Sequence, residues 1–133
     1  MSRNHIVLPI RIYHEDTDDI GTVYYANYLK FMARARGEWQ RKVGFEQAAI
    51  LERHIAFPVR KVTVDFFRPA RFDDMLMVGA TLLDFGGAHI NFEQKVNLAS
   101  GELLCRGYVK LACIDTDTHR PRKIPPDFIA KLT

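Results

Sequence analysis

The stretch HEDTDDIGTVYYANYLKFMARARGEW, residues 14 to 39, places four acids among its first six positions, then a glycine, then aromatic residues, then a helix-like pattern. That order brings together groups able to work on a carbonyl. The first N–H groups of a helix have no intrahelical acceptors and can polarise a carbonyl oxygen. A carboxylate held a few ångströms away can attack the carbonyl carbon, or take a proton from the water that does. Gly21 would let backbone and ligand approach closely. One segment would then hold the parts needed for acyl transfer. No serine sits in a Gly-x-Ser-x-Gly elbow or a Ser-His-Asp context to compete with it.

Two other readings of the acids stand beside this one. As a capping group, Asp16 to Asp19 would be stabilised by the helix macrodipole by about 0.3–1 kcal/mol each. That leaves the run Gly21-Thr22-Val23-Tyr24-Tyr25 without a reason, since an apolar, aromatic entry resembles a pocket floor. A calcium loop would need Asp or Asn at its fifth position and Glu at its twelfth. Counting from Asp16, those positions hold Ile20 and Asn27, and the second triplet, Asp115-Thr116-Asp117, has His119 in fifth place. His14 with Asp16 and Asp18 is the one transition-metal set to consider, and no metal is expected.

The site needs elements to hold it. IVLPIRIY, residues 6 to 13, reads as a first strand, with Pro9 marking a sheet edge or a strand start. Tyr25, Tyr28, Leu29, Met32, Ala35, Trp39 and Val43 recur in steps of three and four. They predict a helix of about five turns with one apolar face, ended by Gly44. Lys30, Arg34, Glu38, Arg41 and Lys42 fall on the other face. FPVRKVTVDFF, MLMVGATLLDF, AHINFEQKVNL and ELLCRGYVKLACID read as strands, with Gly86-Gly87 and Ala99-Ser100-Gly101 as turns between the later ones. The tail ends in a short helix for which Pro126 suits the first turn. The order predicts an α+β fold in which an antiparallel sheet wraps a long central helix, the hot-dog arrangement.

Composition bounds the rest. The 133 residues suit one domain, 1–133, with a net charge of +3 and a pI near 9.0. Arg60, Lys61, Arg68 and Arg71 are candidates for an anionic ligand carrying phosphates, or edge charges against aggregation. No basic stripe marks a nucleic-acid surface. No apolar run spans a membrane, and the opening residues lack a signal-peptide pattern, so a cytoplasmic protein is expected. Cys105 and Cys113, about 26 Å apart along one extended strand, read as buried thiols in a reducing compartment.

The run Arg11 to Tyr28 closely resembles the signature of the 4-hydroxybenzoyl-CoA thioesterase family, most of all its YbgC-type acyl-CoA thioesterases. The resemblance continues through Ala35-Arg36, Phe57 to Lys61, Pro69 to Arg71, Asp73 to Leu76 and Arg120 to Arg122. It implies a hot-dog fold assembled as dimers or tetramers and hydrolysis of thioesters of coenzyme A or acyl carrier protein. Coenzyme A is then part of the substrate, and no cofactor is implied. It also implies that Asp18 is the catalytic carboxylate, that the Tyr25 backbone N–H is the oxyanion donor, and that Gly21 lies beside the thioester path. Substrate contacts would come from His14, Tyr24, Tyr28, Arg60, Lys61, Arg68 and Arg71. YbgC-type members usually carry His where this chain has Tyr25, and an aromatic residue where it has His14. His14 is therefore read either as tuning the water or carboxylate, or as packing. A hot-dog hydratase or dehydratase, or a non-catalytic acyl-carrier-binding scaffold, is the alternative function.

Overall fold

The computed structural model describes residues 4–133; readings that rest on the first three residues lie outside the described residues. Alternating apolar side chains build a five-stranded sheet in which every neighbouring pair is antiparallel. Its strands are β1 (His5–Arg11), β3 (Val59–Phe66), β4 (Met75–Gly86), β5 (His89–Leu98) and β6 (Leu103–Ala112), in the order β1-β4-β5-β6-β3. Pro9 is tolerated because β1 lies at one edge, where a missing N–H costs no ladder bond on the open side. The β4–β5 hairpin turns at Gly87, whose φ of 54° lies in the left-handed region. A two-residue ladder joins β2 (Ile55–Ala56) to β7 (Ile114–Asp115).

The helix α1 runs Tyr25–Lys42, about 27 Å at 1.5 Å per residue. It buries Tyr28, Phe31, Met32, Ala35 and Trp39 against Leu76, Val78, Ile90, Phe92 and Val109 of the sheet. Burying a side chain such as Phe31 or Met32 stabilises the fold by roughly 1.5–3 kcal/mol. The buried face differs from the predicted stripe at two places. Leu29 is exposed and Phe31 takes its place; Tyr25, at 61% exposure, stands at the helix tip. Gly107 lets the helix sit close, for a Cβ there would lie 3.1 Å from Cε of Met32. Gly44, at φ 90°, ends the helix approach, and Lys131 Nζ donates to its carbonyl at 3.2 Å.

Two short helices complete the chain, α2 (Gln47–Glu52) and α3 (Pro126–Leu132). The second begins at Pro126, as its sequence predicts; α2 has no counterpart in the sequence reading. Strand β3 also departs from expectation. Its alternation is intact, yet only Val64 is partly buried, because β3 is the outer strand and α1 covers it only in part, where Tyr25 and Tyr28 meet Phe66. Cys105 and Cys113 are buried free thiols. Burial pushes the Cys105 thiol up to about 12, so it stays protonated at neutral pH.

Candidate active site

The acidic segment folds as a 3-10 turn, His14–Asp16, followed by a tight hairpin bridged at Thr17 and Val23. Asp18 N–H donates to the Thr22 carbonyl at 2.8 Å, and Gly21 N–H to the Asp18 carbonyl at 3.1 Å. The turn requires φ 81° at Gly21, and a Cβ there would meet nothing within 4 Å. Space for a close approach therefore exists, but backbone conformation is the reason the chain itself supplies for glycine.

The Asp18 carboxylate is held within this turn. Its Oδ1 accepts from the amides of Ile20 at 3.0 Å and Thr22 at 3.2 Å. The Thr22 hydroxyl lies 3.2 and 3.1 Å from its two oxygens. Partial desolvation opposes the charge, but these donors outweigh it and hold the carboxyl below its ordinary pKa. Asp18 is exposed and ionised at neutral pH. Thr22, whose amide and hydroxyl hold the Asp18 carboxylate, is the candidate-site residue that sequence reasoning missed. The signal was present in the Asp-x-x-x-Thr spacing of a turn in which a side chain binds the following amides.

None of the acids caps α1. Its first turn contains no acid, and no side chain caps it. Asp16 Oδ2 instead accepts from Tyr13 N–H at 2.9 Å. The Asp16 carbonyl accepts from Tyr24 N–H at 3.0 Å and Asn27 Nδ2 at 2.9 Å, which pins the helix entry to the acidic turn. Asn27 N–H donates to the Tyr24 carbonyl at 2.8 Å. Among the described residues, nothing accepts from the amides of Tyr25 and Ala26. The helix thus opens with two N–H groups available to a ligand oxygen, one short hairpin away from an ionised carboxylate.

The loop after β3 closes one side. Val23 N–H donates to the Ala70 carbonyl at 2.9 Å, and Thr22 bridges Arg71. Ala70 N–H donates to the Tyr28 hydroxyl at 3.0 Å, so Tyr28, only 3% exposed, ties helix to loop. Burial raises the Tyr28 phenol pKa. Beside the helix tip, Val23, Tyr25, Tyr28, Phe66, Phe67 and Arg68 border a cavity of about 250 Å³. Tyr25 meets Phe66 edge-on at 6.3 Å and Tyr24 at 5.0 Å between ring centroids.

The remaining candidates divide. Arg68 borders that cavity and pairs with Glu102 at 3.4 Å; Arg71 lies beside the hairpin. Arg60 and Lys61 sit near the other end of β3, about 20 Å of extended chain from Phe66. Within one chain they are not brought to the helix tip. The His14 ring stacks on Phe72 at 3.7 Å and 9°, a packing contact.

Comparison with known proteins places these features in context. A model of the thioesterase-like superfamily matches residues 12–132. An Escherichia coli O157:H7 protein named acyl-CoA thioester hydrolase YbgC is 39% identical over 124 residues, spanning 93% of this chain and 92% of its own. A Haemophilus influenzae acyl-CoA thioesterase YbgC is 38% identical over 128 residues, spanning 96% and 93%. Among solved structures, a probable thioesterase from Bartonella henselae superposes with a TM-score of 0.84 at 31% identity, spanning 91% of this chain and 99% of that one. A 1,4-dihydroxy-2-naphthoyl-CoA thioesterase from Synechocystis has a TM-score of 0.88 at 23% identity, spanning 96% and 95%, which speaks for the fold alone.

Proposed function

This chain belongs to the thioesterase-like superfamily and is a thioester hydrolase, and from that premise we propose that it cleaves acyl-CoA to the free acid and coenzyme A at the tip of α1. The observation that carries the reading is the pair of amides without acceptors at Tyr25 and Ala26, beside a turn that holds Asp18 ionised. The thioester carbonyl oxygen accepts from Tyr25 N–H, where the negative charge of the tetrahedral state is best stabilised. Asp18 faces the carbonyl carbon. It either adds to that carbon and expels the thiolate, leaving an anhydride that water then opens, or takes a proton from the water that attacks. Both routes consume one water and release one acid and one thiol. No cofactor takes part.

The same scheme places the acyl group against Val23, Tyr28 and Phe66, with Tyr24 at the rim. The phosphates of coenzyme A then meet Arg68 and Arg71 of the same chain. Arg60 and Lys61 can join them only from a second copy. A homodimer or tetramer built on β3 supplies that copy, since this outer strand leaves Val59, Val62 and Phe66 exposed and its outward edge unpaired. Acyl carrier protein presents the same thioester and is a second carrier for the reaction. A cytoplasmic setting suits the two free thiols. Among the described residues no helix is long and apolar enough to cross a membrane.

Thiol release from acetyl-, hexanoyl-, palmitoyl- and benzoyl-CoA, followed with a chromogenic disulfide, tests the proposal. Turnover of at least one thioester is expected. Hydration of an enoyl-CoA without thiol release, or binding without turnover throughout, would contradict it.

A further inference from the structure

Farther along α1, about 17 Å of helix beyond Tyr25 at 1.5 Å per residue, a cavity of about 400 Å³ lies against the inner face of the sheet. The proposed reaction makes no use of it. Phe45, Phe57 and Phe92 form apolar walls, while Arg36, Gln40 and Gln47 supply the polar groups. Its size, and a lining that joins aromatic walls to a few polar side chains, are those of small-molecule sites.

Arg36 is the feature that calls for a ligand. Its guanidinium is half-buried and carries charge at any working pH. Burial alone pulls its pKa down, with no acid pulling the other way. Nη1 donates to Gln94 Oε1 at 2.9 Å, and among the described residues no carboxylate forms an ion pair with it. Gln94, fully buried, is locked by its Nε2 on the carbonyls of Met32 at 2.9 Å and Gly79 at 3.1 Å. It therefore fixes the guanidinium without neutralising it. A partly desolvated cation with no counter-charge is costly to keep. One turn on, the Trp39 indole N–H is buried without an acceptor. Three residues apart on one helix face, a guanidinium without an acidic partner and an indole N–H without any acceptor thus stand beside the same cavity.

We infer that this cavity is a binding site for a small organic monocarboxylate with an aryl or short alkyl body, distinct from the thioester site at the tip of α1. The carboxylate sits on Arg36, an arrangement suited to paired N–H···O bonds. The apolar body lies among Phe45, Phe57 and Phe92. A single guanidinium neutralises a single charge, and among the described residues lining the cavity no second cation stands beside Arg36 for a dianion such as a phosphate monoester. A cavity of roughly 150 Å³ accommodates benzene, so 400 Å³ holds one ring or a short chain with its carboxylate. A thioester hydrolase releases a carboxylic acid at every turnover, so a molecule with this head group is present wherever the enzyme works.

Trp39 is the chain's single tryptophan and borders the cavity, so its emission reports occupancy. The full chain is titrated with hexanoate and cyclohexanecarboxylate, with hexanamide as the uncharged control. A saturable change in emission is expected for both acids and not for the amide. Arg36→Gln is expected to weaken binding by about tenfold or more. Ala33→Phe, at an exposed helix position on the cavity wall, fills the space and abolishes the change. No saturable change in the unmodified protein, equal binding of hexanamide, or wild-type binding by Ala33→Phe would overturn the inference. If Arg36→Gln does not fold, the Ala33→Phe result decides.

Discussion

At the scale of residues, the site turns on how Asp18 is kept charged. The amides of Ile20 and Thr22 and the Thr22 hydroxyl all donate to its carboxylate. Donors to the charged form lower a carboxyl pKa, and Asp18 lies below its ordinary value. A base or nucleophile of this kind works when deprotonated, so activity rises with pH through that pKa, and the acid limb of kcat/KM is expected below the usual carboxylate range. Thr22→Val removes one of these donors and is expected to move the limb to higher pH, with the plateau retained. An unmoved limb would show that the group being titrated is not Asp18. The stability linked to the same contacts is present above the unfolded-state pKa and fades as pH falls through the lower folded-state value.

At the scale of elements, the same segments that shape the site leave β3 without a neighbour on its outer side. An outer strand with exposed Val59, Val62 and Phe66 is a template for pairing with another chain. Sedimentation velocity is expected to show a dimer or tetramer, shifted toward monomer by Val62→Lys, since an edge lysine discourages strand addition. An unmodified protein that sediments as a monomer would remove the second-copy role of Arg60 and Lys61. Long elements were legible in the sequence because their periodicity repeats many times. The three-and-four spacing located α1, and alternation located the sheet strands, with Pro9 marking an edge and Gly44 a helix end. Six residues of α2 and two-residue β2 and β7 are too short for any period to emerge. The swap of Leu29 for Phe31 on the buried face depends on where the sheet lies, and the close seat of Met32 over Gly107 needs both elements in place.

At the scale of the whole molecule, the central helix carries two amides without acceptors at its tip, where the proposed chemistry falls, and a charge without an acidic partner farther down. The tip could be read from the chain because its parts are contiguous: acids, glycine and aromatic entry run from Glu15 to Tyr25. The Arg36 cavity could not, since Arg36, Phe57 and Phe92 meet only after the sheet closes on α1. The account's central claim is that an ionised Asp18 does the chemical work while the exposed amides of α1 hold the carbonyl. Asp18→Asn tests it most directly, because the amide keeps an oxygen to accept from Ile20 and Thr22 while losing basicity and nucleophilicity. The decisive measurement is the rate of thiol release by this variant on the best acyl-CoA substrate, with folding checked by circular dichroism. The account predicts a folded protein slower by about 10² or more. A folded Asp18→Asn protein that turns over at the unmodified rate would contradict it.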